Sequence, residues 1–274
     1  AAAALADAGA ACTPLPGFPR ALRLEGRHDR RRLRELLQVA PGLLVQDAAA
    51  QAVIDWLTRG GDDLTGLAAP VVDLCAAPGG KALHLRALAP PAVPVLAADR
   101  HRRRLGRLRE NRDRLATAPL PLLVADATVS PLRPSSCAAV LLDGPCSGTG
   151  VARHHPEGRW RLRPDTLSRN ADRLLALAGA AADLLVPGGA LYYATCSLEP
   201  EENEDVIARL LQGRDDLAPA CDATGAHERH WIGWQAGTDS FYAARLVRRG
   251  EPGTGIAGAA GIAGAAAGKG RGNP

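Results

Sequence analysis

The chain has 274 residues, 46% of them hydrophobic, enough for one sizeable α/β domain with a small appendage. No run of about 18 apolar residues is free of charges or breaks, so no membrane-spanning helix is predicted, and the alanine-rich start lacks the basic-then-apolar order of a signal peptide. The formal charge of +4 permits a nucleic-acid partner without demanding one, and the six cysteines show no C-x-x-C or Cys/His metal spacing, which reads as reduced thiols in a cytoplasmic protein without a metal.

Residues 1–40 pass from an alanine-rich stretch through prolines into a basic run and are expected to be the remnant of an N-terminal unit. Residues 41–249 are expected to form the main domain. It opens with a helix over 46–59, where Val53, Ile54 and Leu57 recur at helical spacing before Gly60-Gly61. Val71–Leu74 reads as a buried strand, followed by a Pro-Gly-Gly turn and a helix over 80–89. Strands are predicted at 93–98, 120–125 and 138–142, ending in Asp99, Asp126 and Asp143, with a basic helix over 101–115 between the first two. A long helix over 166–186 should stop at Pro187-Gly188-Gly189. A strand over 191–195 then ends at Cys196, a helix covers 200–212, and a last strand lies near 241–247. The repetitive Gly/Ala tail, 250–274, cannot bury a core and is expected to be disordered.

Strands alternating with helices predict a doubly wound, mostly parallel sheet, and such sheets bind ligands outside the carboxyl ends of their strands. Those ends carry Asp73, Asp99, Asp126, Asp143 and Cys196. The turn Cys75-Ala76-Ala77-Pro78-Gly79-Gly80-Lys81 joins the first strand to its helix. Its small residues admit a ligand to the backbone, and the helix start offers free N–H groups. It matches neither the dinucleotide G-x-G-x-x-G pattern nor a P-loop. Lysine occurs only at Lys81 and Lys269, so Lys81 looks chosen as a compact charge on a flexible stem rather than a planar fork. Asp99 is suited to accept both ribose hydroxyls of an adenosine, or to cap a helix. Asp126 would lie by the adenine, or form a turn.

Two further loops carry thiols. Asp143-Gly144-Pro145-Cys146-Ser147-Gly148 puts an acid beside one cysteine, and Thr195-Cys196-Ser197 delivers another to the same edge. Buried cysteines are usually small apolar residues, which suits Cys137, Cys221 and Cys12. It suits Cys146 and Cys196 poorly, because both sit in polar turns. Arginines cluster at 27–34, 100–114 and 153–163, each a solvated face or a phosphate surface.

The 73–81 turn, the Asp-x-Pro-Cys-Ser-Gly loop at 143–148 and Thr-Cys-Ser with Pro-Glu-Glu-Asn at 195–203 together resemble the NOL1/NOP2/Sun family of RNA cytosine-C5 methyltransferases. Val151–Trp160, Val45-Gln46-Asp47 with Ala50-Gln51, and Asp239–Leu246 resemble its bacterial Sun/Fmu branch, which modifies 16S ribosomal RNA. The resemblance covers about 41–248. It departs at Gly144, where the family usually has alanine, and at Ala171, where a glutamine would be expected. The branch also carries an N-terminal helical RNA-binding domain that this sequence does not include; residues 1–40 look like the end of the subdomain that links to it.

The resemblance implies a class I, Rossmann-like fold dependent on S-adenosylmethionine, acting as a monomer on RNA. Residues 75–81 with Asp99, Asp126 and Asp143 would hold the cofactor. Cys196 would add to C6 of cytosine, Asp143 would bind the base near N3, and Cys146 would help remove the C5 proton. Arg153, His155, Arg159 and Trp160 would contact RNA by phosphate pairing and stacking. Other readings are a C5-methyltransferase of tRNA or another RNA, a DNA or protein methyltransferase, or a non-catalytic RNA-binding module.

Overall fold

Valine, leucine and tyrosine pairs without polar interruption satisfy themselves as strands covered on both faces. Successive side chains of a strand point to opposite faces, so each pair supplies both layers of core. Val71, Leu141 and Tyr192 pack on one side with Ile54, Leu57 and Leu85. Val72, Leu142 and Tyr193 pack on the other with Leu174, Ala178 and Val206. All twelve are fully buried, and each large side chain contributes about 1.5–3 kcal/mol. These observations come from a computed structural model that describes residues 2–250 apart from Gly17, Pro19 and Arg161, with backbone alone at 60–62, 159, 164, 235 and 236. The tail from 251 onward, expected to be disordered, lies outside the described residues.

In chain order the elements are α1 (Ala2–Asp7), β1 (Cys12–Pro14), β2 (Leu22–Leu24), α2 (Arg30–Val39), α3 (Ala48–Leu57), β3 (Val71–Asp73), α4 (Gly80–Leu88), β4 (Val95–Asp99), α5 (Arg102–Leu115), β5 (Leu122–Val124), β6 (Cys137–Asp143), α6 (Pro164–Leu184), β7 (Leu185–Thr195), α7 (Glu204–Gln212), β8 (Leu217–Pro219), β9 (Glu228–Trp231), α8 (Gly233–Ala236) and β10 (Phe241–Arg248). The main sheet runs β5-β4-β3-β6-β7-β10-β8, with β9 also on β10. Its first five strands are parallel, and β10 is antiparallel to β7. The chain winds outward from β3 through β4 to β5, then returns to lay β6 on the other side of β3. That reversal opens a crevice at the carboxyl ends of β3, β4 and β6.

The doubly wound architecture is the one expected, with differences of detail. The Pro187-Gly188-Gly189 triplet does not separate helix from strand. α6 ends at Leu184, β7 begins at once, and the triplet is absorbed by a register slip between Cys137↔Leu185 and Ala139↔Ala190. Gly188 has φ +79°, and a Cβ on Gly189 would stand 3.0 Å from the Ala138 carbonyl, so both glycines are required by the bulge. Residues 1–40 hold more structure than the sequence suggested. The β1–β2 hairpin and helices α1 and α2 enclose a small core of Leu5, Ala10, Leu36 and Ala40. Asp29 caps α2 by accepting from the Arg32 amide at 2.7 Å.

Candidate active site

Asp73 ends β3 as a buried carboxylate. Its Oδ1 accepts from the Cys75 amide at 3.2 Å, and its Oδ2 has no hydrogen-bond partner among the described residues. Burial, then the charge of Asp143, pushes the Asp73 carboxyl well above its usual range. Asp99, at the end of β4, accepts from the Ala77 amide at 3.1 Å and from the His101 amide at 2.7 Å. It thereby pulls the 75–78 turn onto the neighbouring strand end. Gly79 makes the turn possible: its φ is +117°, and a Cβ there would stand 2.3 Å from Leu108 Cδ1. Asp126 is exposed and accepts from the Thr128 amide at 2.9 Å and its hydroxyl at 2.6 Å, which holds the carboxyl below the usual range.

A cavity of about 640 Å³ follows these strand ends, from Asp126 and Thr128 past Cys75, Pro78 and Asp99 to Lys81, Asp143, Cys146, Cys196 and Phe241. Most of the residues expected at the site therefore line one crevice. Ala76, Gly79 and Gly80 do not line it; they shape the turn, with Gly80 packed toward Gln46. Burial, then Asp73, pushes the Cys75 thiol up to about 12, which makes it a poor nucleophile.

At the inner end Lys81 reaches back from the first turn of α4. Its Nζ is 2.8 Å from Asp143 Oδ2 and lies 4.5 Å from the Phe241 ring centre. Burial opposes the charge on Lys81, but the Asp143 carboxylate outweighs it and keeps the ammonium above the ordinary lysine value. The Cys146 and Cys196 sulfurs are 3.4 Å apart. The Cys196 thiol is lowered, first by the hydrogen bond from Cys146 and, against burial and Asp143, by Lys81. The Cys146 thiol is raised well above its usual range by that same contact, by burial and by Glu202.

The two thiol-bearing turns are stitched together. The Gly150 amide donates to the Cys196 carbonyl at 2.9 Å, and the Ser240 amide to the Gly150 carbonyl at 2.9 Å. A Cβ on Gly150 would stand 2.4 Å from the Ser240 carbonyl oxygen, so only glycine fits. Gly144, where the resemblance led to alanine, sits against α6: its Cβ would stand 2.2 Å from Leu174 Cδ2. The Cys196 turn is splinted by Asn203, whose Oδ1 accepts from Thr195 Oγ1 at 2.5 Å and whose Nδ2 donates to the Ser197 carbonyl at 3.1 Å.

Of the residues expected to meet RNA, Arg153 has a guanidinium already engaged. It contacts Asp239 Oδ1 at 2.6 Å, the Gly237 carbonyl at 3.0 Å, and Asp47. His155 is exposed, with Glu157 3.5 Å away, and Trp160 is 79% exposed. The Arg159 side chain and Arg161 lie outside the described residues. The sequence alone did not single out Glu202, Asn203, Asp47 or Phe241. Pro-Glu-Glu-Asn was visible as a motif, but which glutamate turns inward depends on the 3₁₀ turn at Pro200–Glu202.

A family model described as 16S rRNA methyltransferase RsmB/F matches residues 67–247. The chain belongs to the RsmB/F family. It is 36% identical over 215 residues to the probable ribosomal RNA small subunit methyltransferase B of Synechocystis sp., covering 77% of this chain and 46% of that one. It is 36% identical over 258 residues to ribosomal RNA small subunit methyltransferase B of Salmonella newport, covering 89% and 56%. This RsmB/F chain thus spans about half the length of those relatives. The crystal structure of PH0851 superposes with a TM-score of 0.78 at 28% identity, over 89% of this chain and 55% of that one. The expected kinship with the Sun/Fmu branch holds, and the fold is that of the class I S-adenosylmethionine-dependent methyltransferases. Among the described residues, no helix of this RsmB/F chain is long and apolar enough to cross a membrane.

Proposed function

We propose that this chain is the catalytic part of an enzyme that methylates C5 of a cytosine in 16S ribosomal RNA, through a covalent bond between Cys196 and C6. The observation that carries this reading is the thiol pair: two sulfurs 3.4 Å apart, on adjacent parallel strand ends, beside a lysine–aspartate pair.

The cavity fits S-adenosylmethionine by its chemistry. That cofactor carries a sulfonium, an amine and a carboxylate, and the crevice offers both signs of charge, with Asp99, Asp126 and Asp143 beside Lys81, Arg100, Arg104 and Arg173. The orphaned Oδ2 of Asp73 sits on the strand end whose next residues, Leu74 and Cys75, line the same cavity. Asp99 would hold the ribose and the 75–81 turn the rest of the cofactor, with Asp126 at the adenine end. When bound, the sulfonium supplies an electrophilic methyl group.

The residues of the chain supply what cytosine lacks. C5 is too weak a nucleophile unaided. Addition of the Cys196 thiolate to C6 turns the C5–C6 double bond into an enamine, splitting one hard step into two. Asp143 lies within reach to accept from the base, and Lys81 offsets its charge and can donate where the ring becomes negative. Once C5 is methylated, its proton must leave before the C6–S bond can break. Once the Cys196 thiolate is consumed in the C6–S bond, Cys146, 3.4 Å from that sulfur, would release its thiol proton to solvent and accept the C5 proton, and Cys196 would then leave as a thiolate. The target base must be unpaired or flipped to enter. The exposed His155 and Trp160 would offer phosphate pairing and stacking to the RNA, and Arg153 would serve that surface through its contacts with Asp47 and Asp239.

Incubating the protein with unmodified 16S ribosomal RNA and methyl-labelled cofactor, then mapping the labelled base, tests the reading. Label on C5 of a cytosine is expected. Label on another base or another atom would overturn it.

A further inference from the structure

Cys146 and Cys196 begin as chemical equals, and at 3.4 Å they share one proton when a single anion is present. Their surroundings must decide which sulfur carries the charge. We propose that Glu202 is the positioning residue that makes this choice: it braces the Cys146 turn and keeps negative charge on that side, so that the thiolate forms on Cys196. This rests on the reading of Cys196 as the nucleophile.

Glu202 is fully buried. Its Oε1 accepts from the Ser147 amide at 2.8 Å and from Asn170 Nδ2 at 2.7 Å, and its Oε2 accepts from Ser147 Oγ at 2.5 Å. All three donors are neutral, and among the described residues Glu202 forms no ion pair. A buried carboxylate without a cation is costly, and a glutamine could make a similar bracket. Keeping the acid is explained if its charge is used. Ser147 directly follows Cys146, and its hydroxyl lies 3.2 Å from that of Ser197, which directly follows Cys196. One carboxylate therefore braces both thiol turns.

The other groups around the pair are accounted for. Lys81 on α4 and Asp143 at the end of β6 act on Cys196 with opposite signs, and they are paired to each other. Asp73, at the end of β3, acts on Lys81. Arg173 on α6 lines the same cavity. The Tyr193 hydroxyl of β7 donates to the Glu202 carbonyl at 2.5 Å and adds no charge. After the partner sulfur of Cys196, Glu202 is the charge that bears on Cys146, and it raises that thiol as Lys81 lowers its neighbour.

The test needs no RNA, so it stands apart from the atom methylated. Initial rates of alkylation by iodoacetamide would be followed site by site, by peptide mass spectrometry, from about pH 6 to 10. Cys196 should react first in the unaltered protein. In Glu202→Gln the ratio of Cys196 to Cys146 labelling should fall roughly tenfold, as for a shift of one pKa unit, while cofactor affinity is unchanged. Ser147→Ala cuts the hydroxyl bracket but leaves the charge, so it should keep the Cys196 preference. A folded Glu202→Gln protein with the original ratio and pH profile would overturn the proposal. So would loss of the preference in Ser147→Ala, which can be read even if Glu202→Gln does not fold.

Discussion

The two cysteines should fail differently when replaced. On the proposed reading Cys196→Ala removes the attacking sulfur, so neither adduct nor product should form. Cys146→Ala leaves attack and methyl transfer intact but hinders loss of the C5 proton. A protein–RNA adduct should then accumulate, visible as a band that survives denaturing electrophoresis and vanishes on RNase treatment. An adduct trapped in Cys196→Ala instead would exchange the roles. Asp73 gives a second test, through acidity. Its carboxyl is held well above its unfolded value of about 4, so its contribution to stability is fully present below that value and is lost as pH rises through the folded one. Asp73→Asn does not titrate. It should stabilise the cofactor-free protein near neutral pH and give no gain at about pH 4, as read from denaturant unfolding at both. Both thiols and the strand-end acids were legible in the sequence, because their motifs sit where strands stop. The Lys81–Asp143 contact and the inward turn of Glu202 were not, since 62 and 55 residues respectively separate each from its partner.

Elements follow from the same logic of spacing and breakers. α3 was legible because its apolar periodicity ended at Gly60-Gly61, α5 because of its basic run, and β3 and β6 because their apolar runs ended in aspartate. β8 and β9 were not, because Leu-Ala-Pro and Glu-Arg-His-Trp carry no apolar run or alternation. Their strand character comes from pairing with β10 rather than from their own pattern. The β7 bulge was hidden because Pro-Gly-Gly ordinarily stops a helix, and here the stop and the strand start coincide. Gly79 is the element-scale position most exposed to change. Gly79→Ala adds backbone strain at φ +117° and drives a methyl into Leu108. It should cost about 2 kcal/mol or more in a denaturant melt and lower cofactor affinity with it. An unchanged midpoint would mean that the α4–α5 contact yields easily.

At the scale of the molecule, the proposed function puts chemistry and RNA contact on adjoining segments of the chain. The cavity is lined by the acids and thiols, with Val151 in its wall, and Trp160, nine residues further along the chain, is exposed. Replacing His155 and Trp160 together by alanine should weaken RNA binding by about 1–3 kcal/mol without changing cofactor affinity, measured by titration of each ligand. Equal losses for both ligands would mean that the segment supports the cavity instead. The basic cluster was legible as charge. That Arg153 is committed to Asp47 and Asp239 was not, because both acids lie far from it in the chain.

The Cys196–Gly150–Ser240 stitch has a consequence for how the target is chosen. Backbone amides tie the floor of the pocket to the sheet, and Gly150 leaves no slack between its neighbours. A floor held this way does not reshape itself around an incoming nucleotide. If the pocket takes a flipped base, as proposed, the work of unstacking and unpairing falls on the RNA, at a few kcal/mol for a paired base and far less in a loop or bulge. On the proposed reading the pocket would gauge how readily a cytosine leaves its helix, and discrimination between sites would begin in the folding of the RNA before any side chain reads its sequence.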